Sequence, residues 1–299
     1  MKKVKGEVIY EQPFLEYLGI PAVSKSLLDV FVKCPADAKR MMDGGGGKQE
    51  TKAMLTGKIV EDMVQSVSIF DPASFEKVAA VHPEKYTTAD GESKPWNWNA
   101  NHCKDWRKEL PEGQIVMSPK ERDNALRLGE AIRSNKVVQE LIADGKSQVT
   151  LKAVHRFGLP IKGRPDWFTP NYMVDLKTTF DASTEAFSRS IADRRYHVQA
   201  AMYMTLAELC GYHPTEFYFI VAQTGDTPKI NVRYLKQSAI DVGRFTLDAD
   251  LDAYQKCLAS GFWPDYMGAA TGFDSIEAID IPKWAYSQFP VTLTGAIEV

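Results

Sequence analysis

Two aspartates and a lysine carry the most informative spacing in this chain. Residues 163 to 177 read Gly-Arg-Pro-Asp-Trp-Phe-Thr-Pro-Asn-Tyr-Met-Val-Asp-Leu-Lys. Pro170-Asn171 lies between apolar runs, which predicts a tight turn joining two short strands. With those two residues as the loop, Asp166 falls directly across from Asp175, about 4.5–5.5 Å apart at Cβ. Two carboxylates held there repel unless a cation sits between them. The strand period of two puts Lys177 on the same face as Asp175. Two carboxylates and one amine aimed at one spot predict a hard-metal site with an acid–base or charge-stabilising lysine beside it. Asp and Lys two apart on a strand also describe an ordinary solvated ion pair. The apolar Tyr172, Met173, Val174 and Leu176 weigh against that, because they make the strand central, where polar residues need a reason.

The elements that must position these groups follow from hydrophobic period and punctuation. Ser24 caps a helix expected to run to about Arg40. A second helix is expected from about Lys52 to Ser68, with Met54, Leu55, Ile59, Met63 and Val67 on its apolar stripe and Glu61 midway. Asp71-Pro72 stops it and starts a short one. Residues 82–103, rich in Pro, Trp, Asn and Gly, read as an irregular loop whose Trp96 and Trp98 either pin it to the body or stack on bases. Ser118-Pro119 opens a helix extending to about Ala143. Ser147–Phe157, Pro160–Phe168 and Tyr172–Thr178 then read as strands, Thr184 to Cys210 as one long helix, Glu216–Gln223 and Ile230–Leu235 as strands, and Ser238–Ala259 as a helix. Strands with a helix packed across them between strands make an α/β core. No polar linker divides the 299 residues. They read as one domain, with residues 1–145 mainly helical and wrapped on a core of 146–260, and a tail from 261 to 299.

Composition narrows the function classes. Hydrophobic residues make up 44% and charged residues 25%, an ordinary globular balance. No apolar run is long enough to span a membrane, and the N-terminus lacks an apolar signal core, so a cytoplasmic protein is expected. The four cysteines are scattered without C-x-x-C spacing, which disfavours disulfides, zinc and iron–sulfur sites. The five histidines form no H-x-x-x-H pattern. Net charge is −3, but residues 238–299 hold three basic residues against nine acidic ones, leaving the rest at +3. Basic residues crowd the paired aspartates, among them Arg164, Lys177, Arg194 and Arg195. A local basic track fits a DNA groove, and solvated surface charge fits nearly as well. Tyr196, Gln199 and Tyr203 fall on one face of the long helix at i, i+3 and i+7, as an ordinary amphipathic face would or as a set of groups for a phosphate.

Together these residues resemble a known family. Gly163-Arg-Pro-Asp166, Val174-Asp-Leu-Lys177-Thr-Thr and Tyr196-His-Val-Gln199-Ala-Ala-Met-Tyr203 closely resemble the phage and prophage RecE-type exonucleases (exodeoxyribonuclease VIII-like), on the RecB-like branch of the PD-(D/E)XK nuclease superfamily. The likeness spans most of the chain. Ser24-Lys-Ser-Leu-Leu with Cys34-Pro35 is similar to that family's opening helix, Gly57-Lys-Ile-Val-Glu61 with Asp71-Pro-Ala-Ser-Phe75 to its metal helix, and Gly261-Phe-Trp-Pro with Ile281-Pro-Lys-Trp284-Ala to its tail. The family often carries His where Glu61 stands, and an acid where Gln148 stands. Glu suits Mg²⁺ or Mn²⁺ at least as well, and Gln148 weakens a second metal site. No C-terminal cysteine cluster accompanies Cys257, so Cys34 is not an iron–sulfur ligand.

The resemblance implies a restriction-endonuclease-like core, a central mixed sheet flanked by helices with an N-terminal helical elaboration. It implies Mg²⁺, replaceable by Mn²⁺, held by Glu61, Asp166, Asp175 and the Leu176 carbonyl. Asp166, Asp175, Lys177 and Gln199 would be the catalytic set, and Arg164, Arg194, Arg195, Tyr196 and Tyr203 the DNA contacts. The implied activity is 5′-to-3′ digestion of double-stranded DNA ends in the cytoplasm of a bacterial host, from a phage or prophage gene. It would leave 3′ single strands for a RecT-type annealing protein. A homo-oligomer, tetrameric by analogy, would encircle the substrate. A RecB-like nuclease preferring single strands or flaps, and a non-catalytic DNA-end-binding module, are the alternatives. The intact Asp166, Asp175 and Lys177 set weighs against the second.

Overall fold

Ser24 accepts a hydrogen bond from Leu27 N at 3.3 Å and so starts a helix where the sequence predicts one. That helix stops early. Pro35 cannot continue it and instead occupies the first turn of another. The computed structural model describes residues 6–45, 56–57, 59–61, 64, 79–111, 114–265 and 279–282. Its first part runs β1 (Gly6–Ile9), α1 (Phe14–Gly19), α2 (Lys25–Lys33), α3 (Pro35–Met42), β2 (Ala79–Val81), β3 (Lys85–Thr87), β4 (Ser93–Pro95), α4 (Asn101–Lys108), β5 (Ile115–Met117), α5 (Pro119–Arg133) and α6 (Lys136–Ile142). The second part runs β6 (Lys146–Ser147), β7 (Thr150–Val154), β8 (Pro160–Gly163), β9 (Trp167–Phe168), β10 (Tyr172–Thr179), α7 (Thr184–Asp193), α8 (Tyr196–Leu209), β11 (Glu216–Gln223), β12 (Lys229–Tyr234) and α9 (Gln237–Ser260).

A five-stranded sheet, ordered β12-β11-β10-β9-β6, is the central layer, and β1-β7-β8 form a smaller sheet beside it. The central sheet is mixed. β10 and β11 are parallel, joined by the α7–α8 crossover, while β9 and β12 run antiparallel to their neighbours. Strand alternation splits the core in two. Met173, Phe217, Phe219 and Val221 face α8, α9 and α2, packing with Val198, Met202, Leu251 and Leu28. Val174, Leu176, Ile220 and Ala222 face the opposite way, onto Ile59, Val60, Val64, Leu128 and Ile132. Helices thus cover both faces of the sheet, the arrangement that a parallel strand pair requires.

The chain is more interrupted than its periodicity suggests. The long helix expected from Thr184 to Cys210 breaks at Arg194-Arg195, where Arg195 adopts a left-handed φ of 55°. The helix from Ser118 breaks at Ser134, and Asn135 caps α6 by accepting from Val138 N at 3.1 Å. The strand expected from Ser147 to Phe157 breaks at Gln148, φ 53°, where the chain leaves the large sheet for the small one. Residues 82–103 are not irregular: they hold the β3–β4 hairpin and the start of α4. Trp96 stacks on His82 at 4.9 Å and meets Trp98 and Trp106 edge-on, so these rings tie the segment to itself. Beside its helices the N-terminal part also carries the short strands β1 to β5. Met54, Leu55, Met63, Val67, the Asp71-Pro72 stop and most of the tail lie outside the described residues.

The α8 helix is buried on nearly all sides, from Val198 to Ala207, as a helix enclosed between sheet and outer helix must be. Its contact with α9 depends on Gly243, where a Cβ would lie 2.2 Å from the His197 carbonyl oxygen. A backbone oxygen cannot move aside without displacing α8. Gly243→Ala is therefore expected to cost about 3 kcal/mol, read as a lower urea midpoint. An unchanged midpoint would show that the two helices can separate freely.

Candidate functional site

The β9–β10 hairpin has the predicted register, with Phe168 opposite Met173 and Trp167 opposite Val174. Thr169 N donates to Tyr172 O at 3.0 Å, and Thr169 Oγ1 accepts from Tyr172 N at 2.9 Å. The two-residue loop is therefore Pro170-Asn171. Strand pairing stops at Trp167, one residue short of Asp166. In place of a further backbone rung, the Asp166 side chain reaches over, and its Oδ2 accepts from Leu176 N at 2.6 Å. β10 beyond Val174 thus has an edge with no β9 partner. The Leu176 carbonyl leaves the strand on the same side as its N–H, toward Asp166.

Asp175 is 2% exposed. Its Oδ1 accepts from Gln199 Nε2 at 3.0 Å, and Gln199 Nε2 also donates to Tyr203 Oη at 3.2 Å. Its Oδ2 faces the Lys177 ammonium and has no hydrogen bond of normal geometry. Lys177 Nζ also lies 4.7 Å from the centre of the Tyr196 ring. Burial alone would lower the Lys177 pKa, but Asp175 and then Asp166 more than offset it and hold the amine charged. Asp166 is pushed well above the usual carboxylate range, first by burial and then by the charges of Glu61 and Asp175. Tyr203 is likewise raised by burial and by Asp175. Its ring packs on Gly163, where a Cβ would come within 2.7 Å. The glycine of the Gly-Arg-Pro-Asp run is thus the clearance for the tyrosine.

Gln148, Glu61 and Arg164 form a second string of contacts. Gln148 Nε2 donates to Glu61 Oε1, Arg164 Nε donates to Gln148 Oε1 at 2.5 Å, and Gln148 N donates to Asp166 O at 3.1 Å. Glu61 is therefore close enough to raise Asp166, although its own oxygen is engaged by Gln148. Arg164 lies 5.7 Å from the ring centres of both Phe14 and Tyr17, and its Nη1 is buried without a hydrogen bond.

The predicted residues do not all converge. Asp166, Asp175, Lys177, Gln199, Tyr203, Tyr196, Arg164 and Glu61 meet in one region. Arg194 is exposed at the end of α7. Arg195 is a correction: its guanidinium is tied to Asp29 and Asp250, so it fastens α8 to α2 and α9 and is not free for a DNA phosphate. Sequence reasoning missed Lys25, a buried lysine 2.5 Å from Asp29 and near enough to Lys177 to repel it. Only tertiary folding brings it there, so its local sequence carried no signal.

Among the described residues no three His, Cys, Asp or Glu side chains already close into a metal-binding cluster. The donors nevertheless suit a hard cation. All are oxygens, Asp175 Oδ2 is buried and faces only the Lys177 ammonium, and Asp166 is held above the usual carboxylate range first by burial and then by the charges of Glu61 and Asp175. Asp166, Asp175 and the Leu176 carbonyl would be the core of such a site, and Glu61 would join by leaving Gln148.

Comparison with known proteins gives the family and the fold. Residues 24–275 match the family described as "PDDEXK-like domain of unknown function (DUF3799)". The chain belongs to that family, within the PD-(D/E)XK nuclease superfamily. The crystal structure of a proposed exonuclease from Eubacterium rectale superposes with a TM-score of 0.59 at 14% identity, covering 92% of this chain and 95% of that one. The fold is restriction-endonuclease-like. A phage-related exonuclease from Haemophilus somnus 129PT also matches, at 15% identity and a TM-score of 0.30, over 64% of this chain and 95% of its own. No curated protein matches the chain in sequence.

Crowding of the acids makes a prediction for the metal-free protein. Asp166→Asn keeps an acceptor for Leu176 N and removes one of the repelling charges. It should raise the thermal midpoint by a few degrees, about what 1 kcal/mol is worth in a chain this long. Mg²⁺ should raise the wild-type midpoint and have little effect on the variant. A lower midpoint for metal-free Asp166→Asn would contradict the repulsion.

Proposed function

We propose that this member of the PDDEXK-like family is a Mg²⁺-dependent exodeoxyribonuclease that digests double-stranded DNA from its ends. The observation carrying the reading is the buried Asp175 carboxylate, gripped on one oxygen by Gln199 and facing Lys177 on the other, with Asp166 at the same strand edge. Phosphodiester hydrolysis needs a positioned water, neutralisation of the phosphorane and a route for the leaving oxygen. A bound Mg²⁺ would supply Lewis acidity toward the phosphate and a more acidic water. The chain's own residues supply the rest. Asp166 and Asp175 would hold the cation. Lys177, held charged by its acids, is in the form that stabilises a negative phosphorane. Gln199 orients Asp175, and Tyr203 supports Gln199. Arg164, beside Gln148 in the same region, and the exposed Arg194 are the proposed phosphate contacts.

The finer features of the proposal rest on the resemblance in the sequence. These are 5′-to-3′ polarity, a RecE-type role in recombination feeding a RecT-type annealing protein, a ring-shaped homo-oligomer such as a tetramer, and action in the cytoplasm of a phage-bearing bacterium. Among the described residues no helix is long and apolar enough to cross a membrane.

A 5′-labelled linear duplex tests the activity. With Mg²⁺ the label should be released and a 3′ strand should remain, whereas EDTA should stop the reaction and a closed circle should resist it. Asp175→Asn and Lys177→Met should each slow turnover by about a hundredfold or more while leaving the circular dichroism spectrum unchanged. Full turnover in either variant would remove the assignment. Cutting of the closed circle would make the enzyme an endonuclease.

A further inference from the structure

Gln148 stands in left-handed backbone, with a φ of 53°. Glycine adopts that conformation without strain, whereas any larger side chain is strained there. The side chain that the position nevertheless carries is engaged at both ends. Its Nε2 donates to Glu61 Oε1, and its Oε1 accepts from Arg164 Nε at 2.5 Å. An amide serves both neighbours at once. A glutamate could only accept and would meet Glu61 with like charge, and a lysine could only donate and would meet Arg164 with like charge.

The amide is held in one orientation. β6 pairs with β9, Ser147 opposite Trp167, and the next step of that register sets Gln148 opposite Asp166. Gln148 N donates to Asp166 O at 3.1 Å, so the residue is fastened to the backbone that carries one of the paired acids. On the far side, the Arg164 guanidinium lies 5.7 Å from the ring centres of both Phe14 and Tyr17. Turning the amide over would set its oxygen against the Glu61 carboxylate and its N–H₂ against the Arg164 donor. Nε2 therefore stays on Glu61. These bonds link Glu61 to Asp166 through one residue, which puts Glu61 at the edge of the candidate cation site. A Glu61 oxygen bonded to the amide is not open to a cation. Hydrogen bonds to a carboxylate are about twice as strong as those between neutral groups, so the competition is not trivial.

We propose that Gln148 is a positioning residue that competes with the divalent cation for Glu61, and so sets how much Mg²⁺ the site needs. This rests on the metal-site reading above and deepens it. In the empty site the amide gives Glu61 a neutral partner beside the paired aspartates. As a cation enters, Glu61 gives up the amide, and the lost bond weakens the binding by its own worth. The cation is therefore held less tightly than Asp166, Asp175 and an unrestrained Glu61 would hold it.

Calorimetric titration of Mn²⁺ into the DNA-free protein tests it. Gln148→Met fills a similar volume without a donor and should bind Mn²⁺ about tenfold more tightly, the order of one hydrogen bond to a charged group. Gln148→Gly also removes the donor, suits the left-handed backbone and so guards against a Met variant that does not fold. It should tighten Mn²⁺ binding likewise. In a Glu61→Gln background, Gln148→Met should change the affinity by less than about twofold. Unchanged or weaker Mn²⁺ binding by the Met and Gly variants would overturn the proposal. So would an equal gain in both backgrounds, since the effect would then not pass through Glu61. Mn²⁺ binding that Asp175→Asn leaves untouched would overturn the metal site itself, whatever the Gln148 variants do.

Discussion

Two acids held close together at the open edge of one buried strand are the constraint around which this chain is built. Like charges in a low-dielectric interior cost free energy, and this pair has Glu61 nearby as well. The structure offsets that cost with directed groups. Leu176 N–H bonds Asp166, Gln199 bonds Asp175, and Lys177 lies against the remaining oxygen. Each of these depends on another element. The hairpin loop fixes the β9–β10 register, the crossover brings α8 under the strand, and Gly163 leaves room for the tyrosine that steadies Gln199.

Of the three non-glycine residues in left-handed backbone among the described residues, Glu11, Gln148 and Arg195, the last two mark where the fold accepts local cost for this placement, about 1–2 kcal/mol each. Gln148 turns the chain from the large sheet to the small one, and that turn places its side chain between Glu61 and Arg164. Arg195 breaks the crossover helix so that α8 starts beside Lys177, and its ion pairs with Asp29 and Asp250 hold the break. Strain maintained by surrounding contacts is typical of sites whose geometry serves something other than stability.

Local signals were legible in the sequence. Pro170-Asn171 set the hairpin register to the residue, because a two-residue loop leaves no slack. The alternating apolar run of β11 and the glycine-ended α9 were also legible, since period and punctuation agree there. Tyr196, Gln199 and Tyr203 were readable as one helical face. The breaks at Gln148 and Arg195 were not, because neither residue is glycine or proline and both are held by partners distant in sequence. The break at Asn135 could have been found, since Asn is a strong N-cap. Lys25 reaches the site, and Arg195 is withdrawn from it, by contacts between α2, α8 and α9 that no local window contains.

The central claim is that Asp166 and Asp175 are a pair made to share a divalent cation. Anomalous diffraction from a crystal soaked in Mn²⁺ tests it most directly. The account predicts a peak about 2.0–2.2 Å from a carboxylate oxygen of each aspartate, beside the Leu176 carbonyl, with Glu61 released from Gln148. A peak elsewhere, or a crystal saturated with Mn²⁺ in which Lys177 alone still faces Asp175, would contradict it.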